Sequence, residues 1–245
     1  MSAVTAVTAQ NTLGVQAAVA LAPEFVAAQI EAVRADIGID AAKTGMLANA
    51  AIVSAVARCV RAAGLGPLVV DPVMLSKRGA PLLEPEACDV LRAELIPLAE
   101  VLTPNLPEAA RLLGCTLAEL RGRSARRQAA VALRALGARH VVLKGGHALE
   151  ADGEEAGACV DLWYDGVAHR ELEAPRIATR HTHGTGCTFS AAIAAGLARG
   201  LAVPAALTAA KDYVTWAIAR APGLGAGAGP LGQVPGTFPR GGTGA

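Results

Sequence analysis

Apolar residues recur along this chain in two alternating patterns, which predict helices and buried strands in turn. Helical spacing, with proline or glycine near the ends, predicts helices over residues 23–37, 48–63, 84–95, 106–113, 123–136, 185–198 and 205–219. Short apolar runs predict fully buried strands over residues 41–45, 68–71, 101–104 and 140–144. Residues 158–165 and 167–173 alternate in polarity around Asp165-Gly166, which predicts a hairpin.

This order of elements predicts the α/β class. Strands alternating with helices favour a three-layer α/β/α sandwich with a mainly parallel central sheet, to which the hairpin adds an antiparallel edge. The 245 residues suffice for one such domain, and no repeat or shift in composition marks a second. We assign residues 1–232 to a single domain and predict that the Gly- and Pro-rich residues 233–245 form an uncovered tail.

Composition excludes several classes of protein. Hydrophobic residues make up 53% of the chain and charged residues 18%, which excludes a disordered protein. A 3% share of aromatics and a net charge of +1 argue against nucleic-acid binding. No apolar run is continuous enough for a membrane span, and no signal peptide is visible. Five widely spaced cysteines fit a reducing compartment, so we expect a cytoplasmic protein.

Polar residues follow the predicted strands at the points where they end. Asp71 follows one strand, Asn105 and Glu108 follow the next, and Lys144 follows another. Ligands of open α/β sheets bind at this edge. Lys144 is one of only four lysines among 22 basic residues, and its compact ammonium suits a phosphate. Asn105 and Glu108 could position magnesium or simply cap a helix, and Asp71 could serve a metal or a turn.

The strongest local signal is the segment His183-Gly184-Thr185-Gly186-Cys187-Thr188, which precedes an Ala-rich helix. Its backbone N–H groups could converge to form an anion site, or the segment could be a plain glycine turn with Thr185 as the helix cap. Cys187 falls in the first turn of the helix, where the helix dipole predicts a lowered thiol pKa and a thiolate able to act as a base. The alternative is that this cysteine is buried and packs as a small apolar side chain.

Six segments together carry a resemblance to a known family. They are Thr8-Ala9-Gln10-Asn11-Thr12, Lys43-Thr44-Gly45-Met46-Leu47, Val70-Asp71-Pro72-Val73-Met74, Thr103-Pro104-Asn105-Leu106-Pro107-Glu108, Lys144-Gly145-Gly146-His147 and Thr182-His183-Gly184-Thr185-Gly186-Cys187-Thr188. Their order and spacing resemble the hydroxymethylpyrimidine/phosphomethylpyrimidine kinases of thiamine biosynthesis, within the ribokinase-like superfamily. The resemblance covers residues 2 to 232.

The resemblance implies an enzyme that uses ATP and Mg²⁺. Its substrates would be 4-amino-5-hydroxymethyl-2-methylpyrimidine and then the monophosphate of that compound. It places Gln10, Met46 and Val73 around the pyrimidine. It also assigns Asp71 and Glu108 to the metal, with water between them and the ion.

The same resemblance implies roles for the residues near ATP. It assigns Asn105, Lys144, Thr182 and Gly184 to the nucleotide. It makes Lys144 catalytic, together with an anion hole formed by Gly184, Thr185 and Gly186. Cys187 stands where sugar-kinase relatives place an aspartate base. A homodimer is typical of the family and is expected here.

Two alternatives stay open at this point. Pyridoxine also carries a hydroxymethyl group on a substituted six-membered ring, so pyridoxal kinase activity is one alternative function. Family members normally begin with a further strand and a Gly-rich loop that nothing in this chain matches, so we expect about one βα unit to be absent. That departure leaves open a degenerate pyrimidine-binding chain without activity. Arg78 and Ala80 also depart from the family pattern.

Overall fold

The computed structural model describes residues 1–76, 79–145 and 157–233, and it contains two β-sheets with helices packed on the larger one. The strands are β1 (Ala6–Asn11), β2 (Gly14–Ala20), β3 (Ala42–Thr44), β4 (Leu68–Val70), β5 (Val101–Leu102), β6 (His140–Leu143), β7 (Ala158–Tyr164) and β8 (His169–Pro175). The α-helices are α1 (Pro23–Asp36), α2 (Ala50–Ala63), α3 (Ala87–Val90), α4 (Leu106–Leu113), α5 (Gly122–Arg134), α6 (Thr185–Ala198) and α7 (Val203–Ala219).

The larger sheet has six strands in the order β3-β4-β5-β6-β7-β8, the same order as in the chain. Strands β3 to β6 are parallel, and β7 and β8 continue the sheet as an antiparallel hairpin. The Asp165 carboxylate accepts the N–H groups of Val167 and Ala168 at 2.8 and 2.7 Å, which closes the hairpin turn. The predicted parallel sheet with an antiparallel edge is confirmed.

Apolar residues on both faces of this sheet build two cores. In β4, Leu68 and Val70 join the core beneath α1 to α5, whereas Val69 joins the core beneath α6 and α7. Successive residues of a strand point to opposite faces, so an unbroken apolar run is needed when helices cover both. The three-layer arrangement follows. None of the helices in the described ranges has the length and apolar character needed to cross a membrane.

The β1–β2 hairpin forms a separate two-stranded sheet that the hydrophobic pattern does not predict. Most of its residues are exposed on both faces, so its sequence has no clear apolar alternation. Its turn docks on the Gly-rich segment near the other end of the chain. The Ala228 N–H donates to the Thr12 carbonyl at 3.0 Å, and a Cβ on Gly227 would overlap the same carbonyl. Glycine is therefore required where the two segments meet.

Most of the predicted element bounds lie within two residues of the structure, and one helix differs by more. The helix predicted over 84–95 is α-helical only at Ala87–Val90 and continues as a π-helix over Leu91–Leu95. Pro97 follows and cannot donate the next helical hydrogen bond. Gln233, assigned to the tail, donates to Thr188 Oγ1 at 2.7 Å and is held against α6. The rest of the predicted tail, with Arg78 and Gly146, lies outside the described residues. The single-domain assignment stays a prediction.

Candidate active site

Three parallel strands deliver charged side chains to one point at their carboxyl ends. Asp71 follows β4 and Lys144 follows β6, and Lys144 Nζ lies 2.8 Å from Asp71 Oδ1. Glu108, on the first turn of α4 after β5, places Oε2 at 3.9 Å from the same ammonium. All three side chains are largely buried, with 1 to 14% of their surface exposed. The structure therefore brings together the three charged residues that the strand ends predict.

Burial and pairing shift the pKa values of this cluster in different ways. Burial alone would lower the pKa of Lys144, but attraction to Asp71 and Glu108, together with the hydrogen bond to Asp71, raises it to about 12. Burial raises the pKa of Glu108 to about 7, because the attraction to Lys144 across 3.9 Å is too weak to offset its desolvation. Lys144 therefore stays charged, whereas Glu108 changes protonation state near neutral pH.

Asn105 and Glu108 also form a reciprocal cap at the start of α4. The Asn105 Oδ1 atom accepts the Glu108 N–H, and Glu108 Oε2 accepts the Asn105 N–H, both at 2.8 Å. The capping role considered from the sequence is therefore present. It does not remove Glu108 from the site, because the capped geometry holds the same Oε2 near Lys144.

The N-terminus of α6 contains two glycines, of which Gly186 lies next to Lys144. Gly184 has a φ of +84°, a left-handed conformation that glycine adopts at little cost. A Cβ on Gly186 would lie 3.1 Å from Lys144 Nζ, so the absence of a side chain lets the ammonium sit over the first helical turn. The Thr185 hydroxyl donates to the Thr182 carbonyl at 2.8 Å and fixes the turn. Helix-terminal amides and a lysine at one point are the groups from which proteins build anion sites, so the predicted anion hole stays a prediction.

Cys187 occupies the first turn of α6, as predicted, but the prediction of a lowered thiol pKa is wrong. The side chain keeps part of its surface exposed, yet the surrounding protein atoms desolvate it and raise its pKa. The negative charge of Asp71 raises it further, whereas Lys43 and Lys144 lower it. A helix terminus contributes only about 0.3–1 kcal/mol, which desolvation and neighbouring carboxylates can exceed. In the free protein this cysteine is therefore a thiol at neutral pH.

Comparison with known proteins assigns the chain to a family. Residues 1–232 match the family model described as phosphomethylpyrimidine kinase. The chain belongs to the phosphomethylpyrimidine kinase family. The hydroxymethylpyrimidine/phosphomethylpyrimidine kinase of Streptomyces coelicolor is 48% identical over 231 residues, which cover 94% of this chain and 82% of that protein.

Two further comparisons relate this family member to a bifunctional protein and to a protein of known structure. The thiamine biosynthesis bifunctional protein ThiED of Geobacter sulfurreducens is 46% identical over 95% of this chain, but the chain spans only 46% of that protein's length. The ADP complex of Bacillus subtilis pyridoxal kinase superposes with a TM-score of 0.83 at 38% identity, covering 94% of this chain and 84% of that one. The predicted ribokinase-like fold is thereby confirmed.

In this phosphomethylpyrimidine kinase family member, the residues expected around the pyrimidine are more exposed than the charged cluster. Gln10 is exposed on β1, and its Oε1 atom accepts only a long hydrogen bond of 3.4 Å from Thr8. Met46 and Val73 are half-buried, and the Met46 carbonyl accepts the Thr5 hydroxyl at 2.6 Å. Within residues 1–76, no side-chain hydrogen bond joins Gln10 to Met46 or Val73. Their role toward the pyrimidine stays a prediction.

Sequence reasoning missed two hydroxyl groups that hold Asp71. Ser190 Oγ, on α6, donates to Asp71 Oδ2 at 3.2 Å, and Thr103 Oγ1 contacts Asp71 Oδ1 at 3.4 Å. Both residues are completely buried. The available signal was a serine within the Ala-rich helix α6, three residues after Cys187. Asp71 thus connects β4 to both the helix and the lysine.

Lys43 is a further lysine near Cys187, and sequence reasoning assigned it no separate role. It pairs in register with Val69, which belongs to the core beneath α6 and α7, so Lys43 points toward that helical layer. Its charge reaches Cys187 and lowers the pKa of the thiol. Lys43 and Lys144 therefore both act electrostatically on the first turn of α6.

Proposed function

We propose that this protein transfers the terminal phosphoryl group of ATP to 4-amino-5-hydroxymethyl-2-methylpyrimidine and then to the resulting monophosphate. The observation that carries the proposal is the position of Lys144 over the N-terminus of α6, where Gly186 leaves room for it. A fixed cation and helix-terminal amides are the groups that stabilise a phosphoryl group in transfer. The names of the family and of its Streptomyces relative support both acceptors.

On the ATP side, Lys144 and the amides of Gly184, Thr185 and Gly186 stabilise the charge that develops during transfer. Asn105 and Thr182 contact the nucleotide in this proposal. The Asn105 Oδ1 atom is engaged in the α4 cap, so its amide nitrogen is the group that can face a ligand. The structural relative from Bacillus subtilis was solved as an ADP complex, which supports a nucleotide ligand for this fold.

Mg²⁺ fits the oxygen groups present, although not as an ion in a dedicated cage. Across the described ranges, no cluster of three or more His, Cys, Asp or Glu side chains could hold a metal. Mg²⁺ commonly uses one or two carboxylates and completes its shell with phosphate oxygens and water. We assign Asp71 and Glu108 to such a metal through water. When bound, the ion would neutralise phosphate charge.

Cys187 removes the proton from the hydroxymethyl acceptor in this proposal. Since burial raises its pKa, its thiolate fraction increases with pH over the alkaline range. The monophosphate acceptor is already ionised and needs no base. Gln10, Met46 and Val73 hold the pyrimidine ring in place, so both acceptors use one pocket.

We also propose that the protein is a cytoplasmic homodimer. Val7 and Val19 are opposite each other in the β1–β2 ladder, so they share a face, and they are 58% and 66% exposed. Adjacent exposed aliphatic residues of this kind favour an interface. The five cysteines are unpaired, as expected in a reducing compartment. Light scattering of the purified protein tests the dimer, and a monomer at micromolar concentration would contradict it.

The kinase proposal is tested by incubating the purified protein with MgATP and each acceptor in turn, with phosphorus NMR to identify the products. We expect a monophosphate from the hydroxymethyl compound and a diphosphate from the monophosphate. The pyridoxal kinase neighbour makes pyridoxal the comparison substrate, and a higher kcat/KM for pyridoxal would favour that activity instead. ATP binding without any product would support the degenerate alternative.

A further inference from the structure

A buried ion pair with no role in the proposed reaction lies next to the segment that carries Lys144. Lys211, another of the four lysines in the chain, is on α7 with only 5% of its surface exposed. Its Nζ atom donates to Asp161 Oδ2 at 2.7 Å and to the Cys159 carbonyl at 2.9 Å. Asp161, on β7, is 6% exposed. Neither residue belongs to the set assigned to ATP or the acceptor.

The other oxygen of Asp161 reaches the site. Oδ1 accepts the backbone N–H of Gly145, the residue directly after Lys144, at 2.8 Å. Gly145 is packed so closely against β7 that a Cβ would overlap the Val160 carbonyl. The Lys144 N–H donates to the Pro104 carbonyl at 2.8 Å. The backbone of residues 144–145 is therefore fixed from both sides.

The ion pair connects this segment to the helical layer that carries the anion site. Helix α7, which bears Lys211, packs closely on α6, since a Cβ on Gly196 would lie 3.0 Å from the Cβ of Ala206. Lys211 thus links α7 to Asp161, and Asp161 links it to the backbone of Gly145, the residue next to Lys144. A buried ion pair contributes little net stability compared with apolar residues of similar volume. Stability alone is therefore a poor explanation for this arrangement.

We propose that Asp161 and Lys211 are positioning residues that hold Lys144 at its working distance from the N-terminus of α6. The inference rests on the proposed function, in which Lys144 binds the phosphate of ATP. Small displacements of a phosphate-binding group strongly reduce the rate of transfer. Loss of the pair should therefore weaken nucleotide binding and slow both phosphorylations by the same factor.

The test compares Lys211→Met and Asp161→Asn with the control Val214→Ala, a substitution on α7 that affects the same core without touching Asp161. Asp161→Asn keeps an oxygen for the Gly145 N–H, so it provides a second, milder variant. We expect Lys211→Met to lower kcat/KM for ATP about 10-fold or more with either acceptor. We expect Val214→Ala to lower the Tm while leaving the KM for ATP unchanged.

Calorimetric titration with MgADP separates this inference from the kinase proposal, because it requires no acceptor. If Lys211 acts through Lys144, Lys211→Met should weaken MgADP binding in the wild-type background but add no further loss in a Lys144→Met background. Equal losses in both backgrounds, or an unchanged MgADP affinity in both Lys211→Met and Asp161→Asn, would overturn the positioning role. Absence of kinase activity with this coupling intact would count against the proposed function alone.

Discussion

The two halves of the candidate site are built in different ways. On one side, the charged cluster of Asp71, Glu108 and Lys144 is buried at the ends of three parallel strands and is joined at 2.8 and 3.9 Å. On the other side, Gln10 is exposed on a separate hairpin, and Met46 and Val73 are only half-buried. The first half is fixed by its own contacts, whereas the residues of the second keep part of their surface exposed.

The physical reason for this difference is the cost of burying charge. Charged groups out of water must be paired and hydrogen-bonded, so the cluster takes its geometry before any ligand binds. Apolar and exposed polar residues carry no such requirement. We therefore expect changes in the charged cluster to affect both phosphorylations alike. Cys187, the proposed base for the hydroxymethyl acceptor, should distinguish between the two acceptors.

The largest expected effect separates the acceptors through Cys187. At alkaline pH, where Cys187 is ionised, Cys187→Ala should slow phosphorylation of the hydroxymethyl compound by about 10²–10⁴-fold, the usual contribution of a general base, and affect the monophosphate far less. Because burial raises the thiol pKa, the ratio of wild-type to variant rate should increase as the pH rises. Initial rates for each acceptor at saturating ATP measure both effects.

Cys115→Ala is the matched control, because Cys115 follows α4 and lies outside the set of residues assigned to the reaction. It should leave both rates unchanged. Equal losses for the two acceptors in Cys187→Ala would show that Cys187 serves packing or the anion hole. That result would contradict the proposal that Cys187 affects the two acceptors differently.

The next largest effect tests whether the charged cluster acts on both steps. Lys144→Met removes a charge-assisted contact to phosphate worth about 1.5–3 kcal/mol, so ATP-dependent kcat/KM should fall roughly 10- to 100-fold for either acceptor. The Tm should fall too, because Asp71 stays buried without its cation. Arg139→Met, which removes an exposed cation, should change neither quantity appreciably. An unchanged dependence on ATP in Lys144→Met would contradict the assigned role.

A smaller effect sharpens the comparison through pH. The pKa of Glu108 is about 7, so its ionised fraction, and with it kcat/KM for MgATP, should fall nearly 10-fold for each pH unit well below 7. Stability should change in the opposite direction. A carboxyl whose pKa is raised by folding favours the folded state most below its ordinary pKa of 4.5 and loses that contribution as pH rises through about 7.

Glu108→Gln isolates this carboxyl in both measurements. The variant should lose the acidic decline in kcat/KM, at a lower overall rate, and its Tm should fall less than that of the wild type between pH 5 and 8. Thermal unfolding and steady-state rates across this range provide the two readouts. Identical pH profiles in the two proteins would exclude Glu108 as the titrating group.

The smallest expected effect concerns Lys43, whose charge acts on Cys187. Its charge lowers the pKa of Cys187, so Lys43→Met should raise that pKa further. The rate of alkylation of Cys187 by iodoacetamide, followed against pH and compared with Cys187→Ala as a blank, measures the change. A shift toward lower pH would show that Lys43 does not act on the thiolate by direct charge attraction.

The hydrophobic pattern predicted the central architecture well because that architecture depends on which short segments of the chain are apolar. The unbroken apolar run in β4 reflects helices on both faces of the sheet, and Asp71 and Lys144 come directly after such runs. The bounds predicted for α4 and α6 agree with the structure, since a cap or a glycine marks where each begins. The β1–β2 hairpin escaped prediction because neither of its faces is buried enough to leave a periodic signal.

The sequence by itself determined which residue types stand at the strand ends. Their order along the chain is also their order across the sheet, because chain order and sheet order coincide in this fold. Only the tertiary structure decided how those groups behave. The thiol pKa of Cys187 depends on desolvation and on Asp71, which is distant in sequence, and so its direction could not be predicted from a helix terminus. Likewise, Lys211 is 66 residues from Gly145, and packing alone brings Asp161 between them. Electrostatics depends on distance in space and on burial, which a linear pattern does not contain.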